Sequence, residues 1–249
     1  MLGEDTVVFT KKGFKKVKDL ILFDEVLTPF GDFEPIVEMS EWEEMTNKVI
    51  LSTCEEIYCT DNLLWHLNNS NKYTDELVED TSTCGVKFAL EGVDDELDYS
   101  PYDYAVVVPQ DVPIEIMMGS LNTKLEFLAG LIDSPICELG TSEGIYKLYI
   151  REKYSELADE ILAFIRSLSI SGIKTLDKGV FCITINITKY IDILPIRDEM
   201  KLCDNYANNS RNVMIRKIEE LSNNDKIMGR MLKVNKGFFL VGYSLVPVC

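Results

Sequence analysis

The hydrophobic pattern of this chain changes period twice, and that change limits the folds open to it more than any other feature. From Asp5 to Val37, short apolar runs alternate with turns at Lys11-Lys12-Gly13 and Pro29-Phe30-Gly31, which are hairpin signals. Residues 49–59 and 63–67 continue the series of short strands. Residues 104–109, YAVVVP, predict another, ended by a proline that cannot donate to a ladder. A helical period then takes over. Thr123 to Glu126 has capping-box spacing and opens a run with Leu125, Leu128, Leu131 and Ile132 on one face, which predicts a helix over 123–133. Residues 145–152 predict a strand. Ser155 is expected to cap a second helix, striped by Leu157, Ile161, Phe164, Ile165 and Leu168 and ended by Gly172. Residues 180–185 predict a strand, and 187–194 a short helix stopped by Pro195. Strand patterns return at 231–234 and 238–248. The expected class is α+β: a β domain of residues 1–112 and 205–249, interrupted by an α+β segment at 113–204.

Composition narrows the chemistry. The 249 residues are 46% hydrophobic, enough for one large core or two ordinary ones. Seven cysteines, an odd count without a C-x-x-C pair, and a single histidine, His66, argue against a zinc site or a disulfide framework. No metal and no cofactor is expected. The cysteines are expected to be small buried hydrophobes in a reduced compartment. No stretch approaches the roughly 18 apolar residues of a membrane span, and no secretory signal opens the chain, so a cytoplasmic location without membrane contact is expected. With 42 acidic against 25 basic side chains the net charge is −17, which repels a phosphate backbone and makes nucleic acid an unfavourable partner. Eleven of the acids lie in residues 72–111, against Lys72 and Lys87; that stretch is expected to be a solvated face.

Residues at both ends and in the middle carry a family resemblance. The segment LGEDTVVFTKKGFKKVKDL followed by DEVLTPFG resembles the first splicing block of inteins: Asp5, Thr6, Gly13, Asp19, Leu20, Asp24, Val26, Leu27 and Gly31 fit, while Phe23 replaces a glycine. IYCTDNLLWHL resembles the second block, a Thr-x-x-His element; Thr60 fits and Leu63 takes the histidine position. VPIEIMMGSLNTKLEFLAGLIDS resembles the approach to a LAGLIDADG helix of intein homing endonucleases, in a single copy. The tail NKGFFLVGYSLVPVC resembles the last splicing blocks, which end Val-Val-His-Asn before Cys, Ser or Thr; here the end is Val246-Pro247-Val248-Cys249. The resemblance implies an all-β intein-like (Hint) domain, residues 1–112 and 205–249, with adjacent termini. It also implies an inserted LAGLIDADG-like α+β half-domain at 113–204.

The departures from that pattern fall on the reactive positions. Splicing needs a thiol or hydroxyl at the first residue, and the Met1 thioether is neither; as an apparent initiator it is also expected to have no upstream peptide bond to rearrange. Leu63 removes the general acid. His66 does not replace it, because three positions along a strand it points to the other face, and it is expected to be structural. Pro247 and Val248 have neither the assisting imidazole nor the cyclising amide, which leaves Cys249 without an acyl group to accept. In the nuclease motif the metal-binding acid corresponds to Pro135 and its glycine to Ile136; Asp133 belongs to the helix but is not the metal position. Met1, Thr60, Leu63, Pro247, Val248 and Cys249 are thus expected to be vestigial splicing positions, and Asp133 and Pro135 vestigial nuclease positions. The expected function is that of an inactive intein-like protein reused as a structural or protein-binding component, with a phage or other virus suggested by the family's hosts and an Asn-, Lys- and Ile-rich composition. Two alternatives remain: a degraded nuclease that still binds DNA, marked by a basic saddle on the sheet of 140–185, and an acidic DNA mimic built on 72–111. A homodimer through helix 123–133 is a further expectation.

Overall fold

The structure is a computed structural model and describes residues 1–249 apart from 69, 84–89, 91, 93–96, 141–143, 203–212 and 223–225. Two compact units emerge, residues 1–88 with 212–249, and residues 89–211. The division therefore falls earlier than the expected 112, because residues 101–106 pack on the helix of the second unit. The expected boundary at 204 lies outside the described residues.

The first unit is antiparallel β throughout its described strands. One sheet runs in the order Ile215–Glu220, Asn47–Leu51, Glu56–Cys59, Leu2–Gly3, Met228–Arg230, Glu43–Glu44. The other runs Asn71–Tyr73, Leu64–His66, Val246–Val248, Phe239–Val241, Val7–Thr10, Glu25–Leu27, Phe33–Met39, Leu232–Val234, with Gly13–Lys16 also pairing on Val7–Thr10. Gly13 and Gly31 have φ of 101° and 83°, and supply the left-handed residues that close the two hairpins anticipated at 11–13 and 29–31. Alternate side chains of these strands, among them Val8, Val49, Ile57, Trp65, Phe239 and Val248, form one buried core.

Among its described residues the second unit has a four-stranded antiparallel sheet, in the order Cys137–Leu139, Ile145–Arg151, Val180–Asn186, Ser171–Asp177, packed against helices. Its helices are α1 (Pro101–Val106), α2 (Ile114–Met118), α3 (Leu121–Asp133) and α4 (Ser155–Ser167). Four local expectations are corrected here. Residues 101–106 are helical rather than the start of a strand, because the Ser100 hydroxyl accepts from the Asp103 N–H and Pro101 opens the first turn. Those start signals outweigh the β preference of Val106 and Val107. The α3 cap is Ser120, whose hydroxyl accepts from the Thr123 N–H at 3.3 Å, so the helix begins two residues before 123. Ser155 is the first residue of α4 rather than its cap, and the helix ends at Ser167. Gly172 lies in a strand, where a Cβ would meet Ile165 and Leu162 at 3.2 Å. Finally, residues 187–194 form successive turns, not a helix: four of the eight are β-branched, and the Asn186 side chain accepts from the Thr188 N–H.

The cysteines divide. Cys59 and Cys137 are buried as expected, but Cys54 and Cys249 are exposed and Cys182 is intermediate; Cys84 and Cys203 lie outside the described residues. No helix among the described residues is long and apolar enough to cross a membrane.

Candidate functional site

Two places carry the residues singled out in the sequence, one in each unit. In the first unit a single segment, 59–65, holds both ends of the chain. Cys59 pairs with Leu2, and Trp65 with Val248. Between them the Thr60 N–H donates to the Met1 carbonyl at 3.4 Å, and the Thr60 hydroxyl accepts from the Met1 nitrogen at 3.0 Å. Leu64 and Cys249 exchange both backbone hydrogen bonds, at 3.2 and 2.9 Å. Met1, Thr60, Leu63, Pro247, Val248 and Cys249 are thereby brought together, because hairpin strands seat the ends on neighbouring stretches of the same segment.

The interior of this junction is apolar. Leu63 and Val248 are 2% and 0% exposed, and Pro247 is buried opposite Leu240. The Leu63 N–H donates to the Thr60 carbonyl, and the Leu63 carbonyl accepts from the Thr74 hydroxyl. That hydroxyl also accepts from the Trp65 indole N–H at 3.0 Å and lies 3.6 Å from the Cys59 thiol. Burial pushes that thiol up to about 11, so it stays protonated at neutral pH. His66 points elsewhere: its ring bonds Asn71 at 2.6 Å and packs on Phe238.

In the second unit the chemistry would lie at the end of α3. Ala129 and Gly130 are buried, and Gly130 sits so close to α1 that a Cβ there would meet the Tyr102 carbonyl at 2.4 Å. The small-residue face of α3 is thus covered by a helix of the same unit. Asp133 is a structural acceptor: its Oδ2 receives the Tyr102 hydroxyl at 2.6 Å and the N–H groups of Arg197 and Asp198 at 2.7 and 3.3 Å. Its Oδ1 is buried and finds no partner among the described residues. The Arg197 guanidinium stacks on the Tyr102 ring at 3.7 Å. Burial and the Asp133 carboxylate push the Tyr102 hydroxyl up to about 12, so it remains a donor.

Pro135 is exposed just past the helix. The free carbonyls of the last turn are held by Lys201, whose ammonium donates to Ile132 O and Ser134 O at 2.7 Å each. A cation at a helix C-terminus is favourable on both hydrogen-bond and dipole grounds. Among the described residues no group of three or more His, Cys, Asp or Glu side chains could hold a metal. Sequence reasoning found Asp133 and Pro135 but missed Tyr102, Arg197 and Lys201. No local pattern marks Lys201 as the partner of a helix end 67 to 69 residues away.

The sheet of the second unit turns one face to its helices and the other outward. Register puts Lys147 beside Glu138 and Thr184, and Arg151 in line with Val180 and Asp177, on the face away from buried Tyr146, Leu148 and Ile150. The described strands therefore present two cations and two carboxylates on that face, not a basic saddle.

Comparisons with known proteins give a family match for part of the chain and similar solved structures. Residues 111–179 match the homing endonuclease family model. No curated protein matches the chain. Among solved structures the chain is similar to the MchDnaB-1 intein, at 10% identity and a TM-score of 0.43, covering 100% of this chain and 98% of that one. It is similar to a bacterial intein-like domain from Clostridium thermocellum at 7% identity and 0.44, covering 99% and 96%. A gp41-1 intein gives 11% identity and 0.42, covering 99% and 95%. The segment that carries α2, α3 and α4 is a homing endonuclease-like region, and it interrupts a unit built of β-strands.

Proposed function

We propose that this chain is a catalytically inactive intein-like protein, with an inactive homing endonuclease-like insertion, that serves as a structural or protein-binding component. The observation that carries the reading is the segment 59–65. It pairs with both chain ends, as a splicing fold requires, yet the reactive positions beside it are filled by the buried alkyl groups of Leu63 and Val248. Pairing without reactive groups supports retention of a fold whose reaction is gone. The end of α3 supports the same reading, since an ammonium occupies its last carbonyls and a proline stands at the metal position.

The test is a fusion between two reporter proteins, incubated with and without a thiol reagent, together with a plasmid incubated with the chain and magnesium. One unspliced product, no thiol cleavage and an intact plasmid are expected. Ligated reporters or a linearised plasmid would refute the reading. Retained DNA binding is disfavoured by the mixed charge of the outer sheet face and the net −17. In a low-salt anisotropy titration, binding to arbitrary duplex should be weaker than the roughly 10⁻⁴–10⁻⁶ M of non-specific binders at physiological salt.

A further inference from the structure

In the first unit, the turn before strand Glu25–Leu27 combines strain with exposure. Ile21, Leu22 and Phe23 are 65%, 46% and 76% exposed, three consecutive large apolar side chains facing water. Such a run promotes association unless a partner covers it. Phe23 also has φ of 71°, in the left-handed region that suits glycine and strains a bulky residue. This is the position at which the resembling intein block has glycine. The backbone conformation is there, but the residue that would adopt it freely is not, and the ring gains no burial in return.

The tip is fixed from below. Asp24 Oδ2 accepts from the Ile21 N–H and from the Lys15 ammonium, at 3.1 and 2.9 Å. Phe23 N–H donates to Ile36 O at 2.9 Å, and Ile36 N–H returns to Asp24 O at 2.9 Å. A rigid tip loses little conformational freedom on docking. Beside it, Arg230 Nη2 donates to Val17 O and Leu20 O, and its guanidinium lies 4.6 Å from the ring of half-exposed Trp42. Phenylalanine, tryptophan and arginine around an apolar centre is the composition of interface hot spots.

We infer that Ile21, Leu22 and Phe23, with Trp42 and Arg230 beside them, form the docking surface for a partner protein of basic net charge. This rests on the reading of the chain as a binding protein. Charge selects the occupant: exposed Glu41, Glu43 and Glu44 flank Trp42, and with −17 on the whole chain they disfavour nucleic acid, an anionic membrane and a second copy, and favour a basic protein. Two copies meeting tip to tip would bury only these few side chains each, short of the roughly 800 Å² per partner of a standard interface. A concave partner covers the flanks as well.

The experiment uses the full chain with Phe23 replaced by the photo-crosslinker p-benzoylphenylalanine, and the same probe at exposed Ile193 as control, irradiated in extract of the source organism. Crosslinking from position 23 alone, to a basic protein, is expected. That protein is then identified, purified and titrated by calorimetry. Phe23→Gly and Trp42→Ala should each weaken its binding at least tenfold, and Phe23→Gly, freed of strain, should raise Tm by about 2–4 °C. No crosslink, a crosslink to an acidic protein, to lipid, to nucleic acid or to a second copy, or a lowered Tm in Phe23→Gly would overturn the assignment. A partner held equally by both variants overturns this surface and leaves the binding reading intact. Splicing in the reporter fusion overturns that reading and not the surface.

Discussion

Around the chain ends of the first unit, Leu63, Pro247 and Val248 are all buried among apolar neighbours. At the end of α3 in the second unit, the corresponding region is held by polar contacts: Asp133 with Tyr102 and two backbone N–H groups, and Lys201 with two helix carbonyls. The two arrangements respond differently to an added polar or charged group. An apolar junction rejects a buried amide or imidazole through desolvation. A polar lock admits a carboxylate but neutralises it, because a cation is already bound where it would act.

The comparison is broken most severely at Asp133. Asp133→Ala strands the Tyr102 hydroxyl and two backbone donors, and should destabilise the second unit by about 3–4 kcal/mol; calorimetry should show one transition shifting while that of the first unit stays. Next comes Val248→Asn, which places an amide at a fully buried position. It should cost the first unit about 2–3 kcal/mol in urea unfolding and restore no cleavage. An unchanged midpoint would mean that the junction tolerates polar groups.

The effect of pH sharpens the contrast. Lys124 on α3 is fully buried, with its ammonium donating to Leu90 O at 2.6 Å, and burial pushes it down to about 8 from an ordinary 10.5. Between those values the unfolded chain holds the extra proton, so this group makes stability rise as pH climbs from 8 to 10.5. Lys124→Met should abolish that rise and add about 2 kcal/mol at pH 7, less what the stranded Leu90 carbonyl loses. Cys59 and Cys137 act in the opposite sense. Burial pushes them from 9.0 up to about 11 and about 12, so their contribution is complete below pH 9 and is lost as pH rises through those values. The smallest effect is expected from Pro135→Asp. An exposed carboxylate near Lys201 should add less than about 1 kcal/mol and bind no magnesium by calorimetry. Magnesium binding in that variant would show that the lysine yields the helix end.

Much of this was legible from residue order alone. Gly13 and Gly31 marked their hairpins because a left-handed turn residue is a local requirement. The α3 stripe marked a buried helix because Leu125, Leu128, Leu131 and Ile132 recur at helical spacing. Where local signals conflicted, reading failed: the valines of 104–109 suggested a strand, while Ser100 and Pro101 had already begun a helix. The isoleucines of 187–194 suggested a helix, while their branching and the Asn186 side chain favoured turns.

The sequence by itself determined that Met1, Leu63, Val248 and Pro135 carry no thiol, imidazole, amide or carboxylate, since that is a matter of residue identity. It also determined the alternation of strand and helix periods that makes the chain α+β. Only tertiary structure decided what surrounds those residues. That Lys201 reaches the end of α3, that α1 covers Gly130, and that a strained Phe23 faces water beside Trp42 and Arg230 all depend on contacts between residues far apart in the chain. Side-chain spacing encodes which face of a single element is buried, but not which distant element will be packed against it.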